Sequence, residues 1–173
     1  MNHDSYANDY IATILREVKT VAIVGASAND VRPSFFVAKY LIDKGYVVQP
    51  INPGHAGKAI LGRMTFAKLA DVPAPVDMVD VFRASAAVPA IVDEVLALSP
   101  LPKVVWMQLT VRHDEAAARL EAAGIKVVMN RCPKIEYARL AGEIGWTGVA
   151  SGVISAKKPE MRGGVQHFGL GKD

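Results

Sequence analysis

The stretch Thr20-Val21-Ala22-Ile23-Val24-Gly25-Ala26-Ser27-Ala28-Asn29-Asp30-Val31-Arg32-Pro33 decides the fold of this chain. Its first five residues are apolar apart from Thr20 and rich in β-branched side chains, the pattern of a short strand buried on both faces. One glycine and three small residues follow at once. Pro33 suits the first turn of a helix, where its missing N–H is not needed. The helical run from Pro33 to Lys44 stops at Gly45, a residue at ease in the left-handed conformation that ends helices. Tyr46 to Ile51 is a second apolar run. Strand, small-residue turn, helix and strand make a βαβ unit. Its turn directs backbone N–H groups and a positive helix end toward one spot, which suits a phosphate, and a glycine at position 25 lets the backbone come close to one. A plain tight turn with nothing bound is the other reading of the same residues.

Outward from this unit the alternation continues. Ile11, Ile14, Leu15 and Val18 fall at helical spacing behind Asp4 or Ser5 as a cap. Phe36, Val37, Tyr40 and Leu41 form the inward face of the helix that starts at Pro33. Asn52-Pro53-Gly54 ends the second strand in a turn. Residues 55–63 read as a loop with a short extended piece, and Thr65 to Ala70 as a short helix broken by Pro73 and Pro75. Val76 to Phe82 is the third strand, followed by a helix from a Ser85 cap through Leu98. Val104 to Met107 is the fourth strand, Asp114 to Ala123 a helix, Ile125 to Met129 the fifth strand and Pro133 to Leu140 a last helix. Strands alternating with helices at this spacing predict an α/β fold: one doubly wound, Rossmann-like domain whose five-stranded parallel sheet is flanked by helices. The strand order expected is 3-2-1-4-5. The domain spans 1–150. Gly142, Gly145, Gly148 and Gly152 lead into an irregular polar tail over 151–173.

Composition narrows the function. Of the 173 residues 51% are hydrophobic, which suits a packed globular chain. A net charge of +3 suits small anionic ligands, and the scattered Lys and Arg lack the clustering of a nucleic-acid surface. No apolar run approaches the roughly 18 residues needed to span a bilayer. The N-terminal MNHDSYANDY has no apolar signal core. The single cysteine, Cys132, permits no internal disulfide. The expectation is a cytoplasmic protein, monomer or homodimer, with no nucleic-acid or membrane partner.

In such a sheet the ligand lies beyond the carboxyl ends of the strands. A dinucleotide fingerprint would need Gly-x-Gly-x-x-Gly and an acid after the second strand. Here Gly25-Ala26-Ser27-Ala28-Asn29-Asp30 lacks two of those glycines, and Ile51-Asn52-Pro53 offers no carboxylate, so an ordinary NAD site is disfavoured. The loops offer instead Ser27, Arg32, Ser34, His55, Lys58, Arg63 and Arg83, a set fit to meet several phosphates. No Ser–His–Asp set and no metal-ligand spacing is present, and no catalytic residue or metal site is assigned. Of the histidines, His113, after the fourth strand at the ligand end, is the best placed, and a surface residue is its plainer reading. Cys132 follows the fifth strand, between Arg131 and Lys134 and ahead of Pro133. Cations and a helix start lower a thiol's pKa, while Glu136 opposes that; a small buried apolar residue is the plainer reading.

Taken together, Val24-Gly25-Ala26-Ser27, Arg32-Pro33-Ser34, Gly45-Tyr46, Pro50-Ile51-Asn52-Pro53, Leu61-Gly62, Val76 through Arg83, Val105-Trp106-Met107-Gln108 and Asn130-Arg131-Cys132 resemble the stand-alone CoA-binding proteins, whose fold is that of the N-terminal domain of the succinyl-CoA synthetase α subunit. The resemblance covers about residues 10–140. It implies that Gly25, Ala26, Ser27 and Ala28 hold the phosphates of CoA or an acyl-CoA, with Arg32, Pro33 and Ser34 at the adjoining helix start. It implies too that Asn52, Pro53, Val81, Phe82 and Arg83 border the adenosine and pantetheine groove; with CoA as ligand, the functional reading of Cys132 is a thiol near the ligand's own, and the buried reading stands beside it. The chain departs from the pattern at Leu109-Thr110, where an apolar residue and a glycine are usual. It has no room for the synthetase's phosphohistidine domain. The implied function is non-catalytic CoA binding, with a regulatory role in view. The alternatives are a small NAD(P)- or nucleotide-dependent enzyme with an atypical phosphate turn, and a redox-responsive regulator acting through Cys132.

Overall fold

A computed structural model describes residues 1–143 and the backbone of 161–162 and 165–166. In chain order the elements are α1 (Asn8–Glu17), β1 (Thr20–Val24), α2 (Pro33–Asp43), β2 (Val47–Ile51), β3 (Ala59–Ile60), β4 (Arg63–Met64), β5 (Met78–Val81), α3 (Val88–Leu96), β6 (Val104–Met107), α4 (Asp114–Ala122), β7 (Lys126–Val128), α5 (Pro133–Leu140), β8 (Met161–Arg162) and β9 (Val165–Gln166), with single 3-10 turns at Pro53–His55, Leu69–Asp71 and Ser85–Ala87. They fall into two compact units: Val18–Arg131, and Met1–Glu17 together with the residues from Cys132 onward.

The larger unit holds a five-stranded sheet in the order β2-β1-β5-β6-β7, with every neighbouring pair parallel. Counting only these strands the order is 2-1-3-4-5, which corrects the expected 3-2-1-4-5. The reason lies in Pro50. An interior second strand would need donors on both sides, and proline has none. Pro50 turns its carbonyl outward to accept from the Phe66 N–H at 2.9 Å, so its missing N–H lies on the outer edge, where no ladder needs it. Phe66 covers the end of that edge as an extended segment beside Ile51, in place of the short helix expected from Thr65.

One face of the sheet, through Ala22, Val79, Val81, Val105, Met107 and Val127, packs with Val88, Ile91, Val92 and Val95 of α3 and Ala116, Ala117 and Leu120 of α4 into a single apolar core. The β1-to-β2 crossover runs across the sheet in the opposite direction from those of α3 and α4. Right-handed connections therefore put α2 on the other face. The stripe α2 buries is Ser34, Val37, Ala38 and Leu41, spaced i, i+3, i+4, i+7. Phe36, expected inward, is 50% exposed, because the small Ser34 and Ala38 occupy the sheet side. At the opposite end of the strands, Asp77 accepts from the Lys19 and Thr20 N–H groups at 2.9 and 3.0 Å and pairs with Lys103 at 2.8 Å. Partial burial works to raise its pKa; these partners outweigh that and hold it low.

In the other unit Ile11, Ile14 and Leu15 of α1 are buried, and its helix starts at Asn8, later than a cap at Asp4 or Ser5 would place it. Arg139 of α5 pairs with Glu136 and donates to Asn8 Oδ1 at 2.8 Å, tying α5 to α1. β8 and β9 are antiparallel. The rest of the tail expected to be irregular, with Gly145, Gly148 and Gly152, lies outside the described residues.

Candidate functional site

β1 sends its connection to β2 on one side, while β5 lies on its other side, so the chain reverses its winding between β1 and β5. A crevice forms at such a switch point beyond the carboxyl ends of the strands. Gly25 stands there with φ +89°, a conformation that excludes ordinary side chains. A Cβ at this position would lie 2.5 Å from the Phe82 carbonyl oxygen and 2.9 Å from Arg83 Cδ. The glycine is therefore required by the segment that leaves β5 beside it, Phe82-Arg83.

The turn uses its N–H groups unequally. Those of Gly25 and Ala26 both donate to the Ile51 carbonyl, at 2.9 and 3.2 Å, and are unavailable to a ligand. Asn52 closes the turn from the side: its Nδ2 donates to the Ala26 carbonyl at 2.7 Å, and its Oδ1 accepts from the Gly54 N–H at 2.9 Å. Asn52 is thus a brace between two loops. Ser27 Oγ accepts from the Asn29 N–H at 3.1 Å. Among the described residues the N–H groups of Ser27, Ala28 and Ser34 have no acceptor. Arg32 stands at the N-cap of α2, Pro33 opens the helix, and no side chain caps it. Arg32 is exposed and its guanidinium has no partner among the described residues. Together these groups give the β1–α2 connection free donors and a free cation among the described residues, the requirements of an anion.

Beside the turn lies a cleft of about 210 Å³. Gly25, Asn52, Pro53 and Arg83 line it, and α3 closes it with Ala90, Ile91 and Glu94. The structure thus brings together the turn, the exit of β2 and Arg83. Val81 is fully buried in the core under α3 and α4, and Phe82 is half-buried with its carbonyl against Gly25. Cys132 belongs to the other unit, 7% exposed at the N-cap of α5, where its sulfur gives the helix no cap. His55 carries a buried Nδ1 without a partner, and Lys58 and Arg63 are exposed along the β3–β4 hairpin. His113 caps α4, its Nδ1 accepting from the Ala116 N–H at 3.2 Å. Ser85, expected to cap α3, accepts instead from the Arg112 N–H at 3.1 Å. Thr110 takes φ +68°, so a threonine holds the conformation usual for glycine here; Asn130 Oδ1 accepts its N–H at 2.8 Å. Among the described residues no group of His, Cys, Asp or Glu is arranged to hold a metal ion, and no helix is long and apolar enough to cross a membrane.

Sequence reasoning passed over Asp80 and Gln108. Asp80 lies on β5 opposite Ile23 of β1, just below the switch point. It is fully buried, and Gln108 Nε2 donates to its two oxygens at 2.8 and 3.0 Å. A lone carboxylate inside the apolar run Met78-Val79-Asp80-Val81 was the available signal. Burial pushes its carboxyl up to about 8, against the Gln108 hydrogen bonds, which favour the ionised form. The folded chain therefore keeps a proton that the unfolded chain releases near the ordinary value of 3.8. Unfolding releases that proton between the two values, so this group makes stability fall as pH rises from about 4 to about 8, by at most about 1.4 kcal/mol per unit. Above that range the contribution is level. Urea midpoints at pH 5 and pH 8 check this: Asp80→Asn should gain on wild type as pH rises, whereas parallel curves would show the carboxyl ionised throughout.

Residues 19–138 match the family described as a CoA binding domain, and the chain belongs to it. It is 34% identical over 128 residues to the uncharacterized protein YneT of Bacillus subtilis (strain 168), an alignment covering 74% of this chain and 92% of that one. Among solved structures it is similar to cell-free ID.343 from Thermus thermophilus, at 39% identity and TM-score 0.74, over 78% of this chain and 99% of that one. A hypothetical protein from Pyrococcus horikoshii OT3 matches at 33% identity and TM-score 0.74, over 81% and 96%. The dinucleotide-forming acetyl-coenzyme A synthetase 1 of Ca. Korarchaeum cryptofilum, at 23% identity and TM-score 0.56 over 66% of this chain and 27% of its own, shares the fold.

Proposed function

We propose that this chain binds CoA or an acyl-CoA without converting it, its phosphates at the start of α2 and its nucleotide end in the cleft beside Gly25. The observation that carries the reading is the connection from β1 into the uncapped start of α2, along which the Ser27, Ala28 and Ser34 N–H groups and the Arg32 guanidinium stand without partners among the described residues. Membership of the CoA binding domain family supports CoA over other phosphate ligands. The absence of a carboxylate after Ile51 disfavours a ribose diol held as in NAD sites. A binding role without turnover is supported by the cleft lining, which carries no Ser, Cys or His side chain and a single carboxylate, Glu94, at its end.

Arg32→Ala tests the site. A guanidinium clamping phosphate by charge-assisted hydrogen bonds contributes about 1.5–3 kcal/mol, so CoA affinity at low salt should fall about 10- to 100-fold. Salt screens an exposed pair, so the difference should shrink at high salt. Calorimetric titrations of wild type and variant at both salt concentrations read this out. Equal affinities at low salt would remove Arg32 from the site.

A further inference from the structure

We infer that Glu94 selects the base of the bound nucleotide, accepting a hydrogen bond from the exocyclic amino group of an adenine laid along the cleft; this rests on the CoA reading above. The cleft has polarity along its length. Arg83, before α3, lies at the end shared with Gly25 and the phosphate turn. Ala87, Ala90, Ile91 and Glu94 recur at i, i+3, i+4 and i+7, so one stripe of α3 lines the cleft for two turns, about 10 Å. Val24, Ile51, Pro53 and Ala67 complete a mostly apolar wall, the surface against which a planar base loses water most readily. The far end of that wall is a carboxylate.

Glu94 has no structural task that would explain it. Its neighbour Asp93 pairs with Arg119 at 2.6 Å, whereas the Glu94 carboxylate has no hydrogen-bond or ion-pair partner among the described residues. An ionised carboxylate only accepts hydrogen bonds, so it calls for a donor. It also repels a further phosphate, which leaves the anionic part of the ligand at the Arg83 end. Adenine presents an amino group at its outer edge and no charge, and matches both requirements.

The test uses CoA and 1,N6-etheno-CoA, in which a fused ring removes the amino hydrogens. A hydrogen bond to a charged acceptor is worth about 1.5–3 kcal/mol, at least about 10-fold in affinity. Wild type should bind CoA at least about 10-fold more tightly than the etheno analogue. Glu94→Ala, a change on an exposed helix position that favours helix, should weaken CoA by about the same factor, leave the analogue unchanged and bring the ratio to about one. A variant that binds CoA as wild type does, or keeps the wild-type ratio, overturns the inference while leaving CoA binding in place. Wild type that binds neither ligand overturns the CoA reading itself.

Discussion

Gly25→Ala should lower the stability of the folded chain by about 2–5 kcal/mol, more than the same change at Gly54, Gly57 or Gly62, where a Cβ would meet nothing closer than 3.4 Å. Two costs add. An L-residue held in the left-handed region loses about 1–2 kcal/mol, and Gly25 has φ +89°. Overpacking a tight site costs about 1–3 kcal/mol more, and the new Cβ would lie 2.5 Å from a backbone oxygen, Phe82 O, which has no rotamer with which to retreat. Read from the sequence, this glycine is a device for the close approach of phosphate. The structure gives it a different neighbour: its side-chain space is taken by Phe82 and Arg83, just past the end of β5, and its N–H serves Ile51. The defect should therefore appear without ligand, as a lower urea midpoint and a melting temperature reduced by roughly 4–20 °C. A variant with wild-type stability and weakened CoA binding would return the residue to the phosphate.

The layout of the sheet was legible because β1, β5 and β6 are short apolar runs bounded by turn residues, and periodicity reports such runs well. Strand order was not legible from periodicity, which says nothing about neighbours. The residue that could have settled it is Pro50, since a proline inside a strand belongs at an edge. Apolar character misled at Phe36: helical spacing fits two overlapping stripes on α2, and the one containing Ser34 and Ala38 lies closer to the sheet. Small residues win such a contest by permitting close packing, and hydrophobicity alone does not reveal it.

At the candidate site, the sequence marked the loops and missed the bonding within them. Gly25, Asn52, Pro53 and Arg83 do converge on one cleft. Which N–H groups remain free depends on the Ile51 carbonyl, a backbone atom of another strand that no motif names. Asn52, expected to border the groove, lines the cleft and also braces it, both ends of its amide being engaged by Ala26 and Gly54. The wall contributed by α3 was hidden for a similar reason. Ala87, Ala90 and Glu94 are ordinary helix residues, and only the position of β5 beside β1 turns their stripe toward the crevice.

On the proposed reading this site takes CoA in preference to a nicotinamide dinucleotide. Thermal unfolding with CoA and with NAD, at equal concentrations, tests it most directly. A ligand that binds only the folded chain stabilises it by about 2.7 kcal/mol at one hundred times its dissociation constant. For a chain of this size that is a rise of roughly 5–11 °C in melting temperature. CoA carries an additional phosphate for the free donors and the unpaired Arg32 and Arg83, whereas NAD presents a ribose diol to a β2 exit, Asn52-Pro53, that has no carboxylate. CoA should give the full rise and NAD a markedly smaller one. No rise with CoA, or a larger rise with NAD, would contradict it.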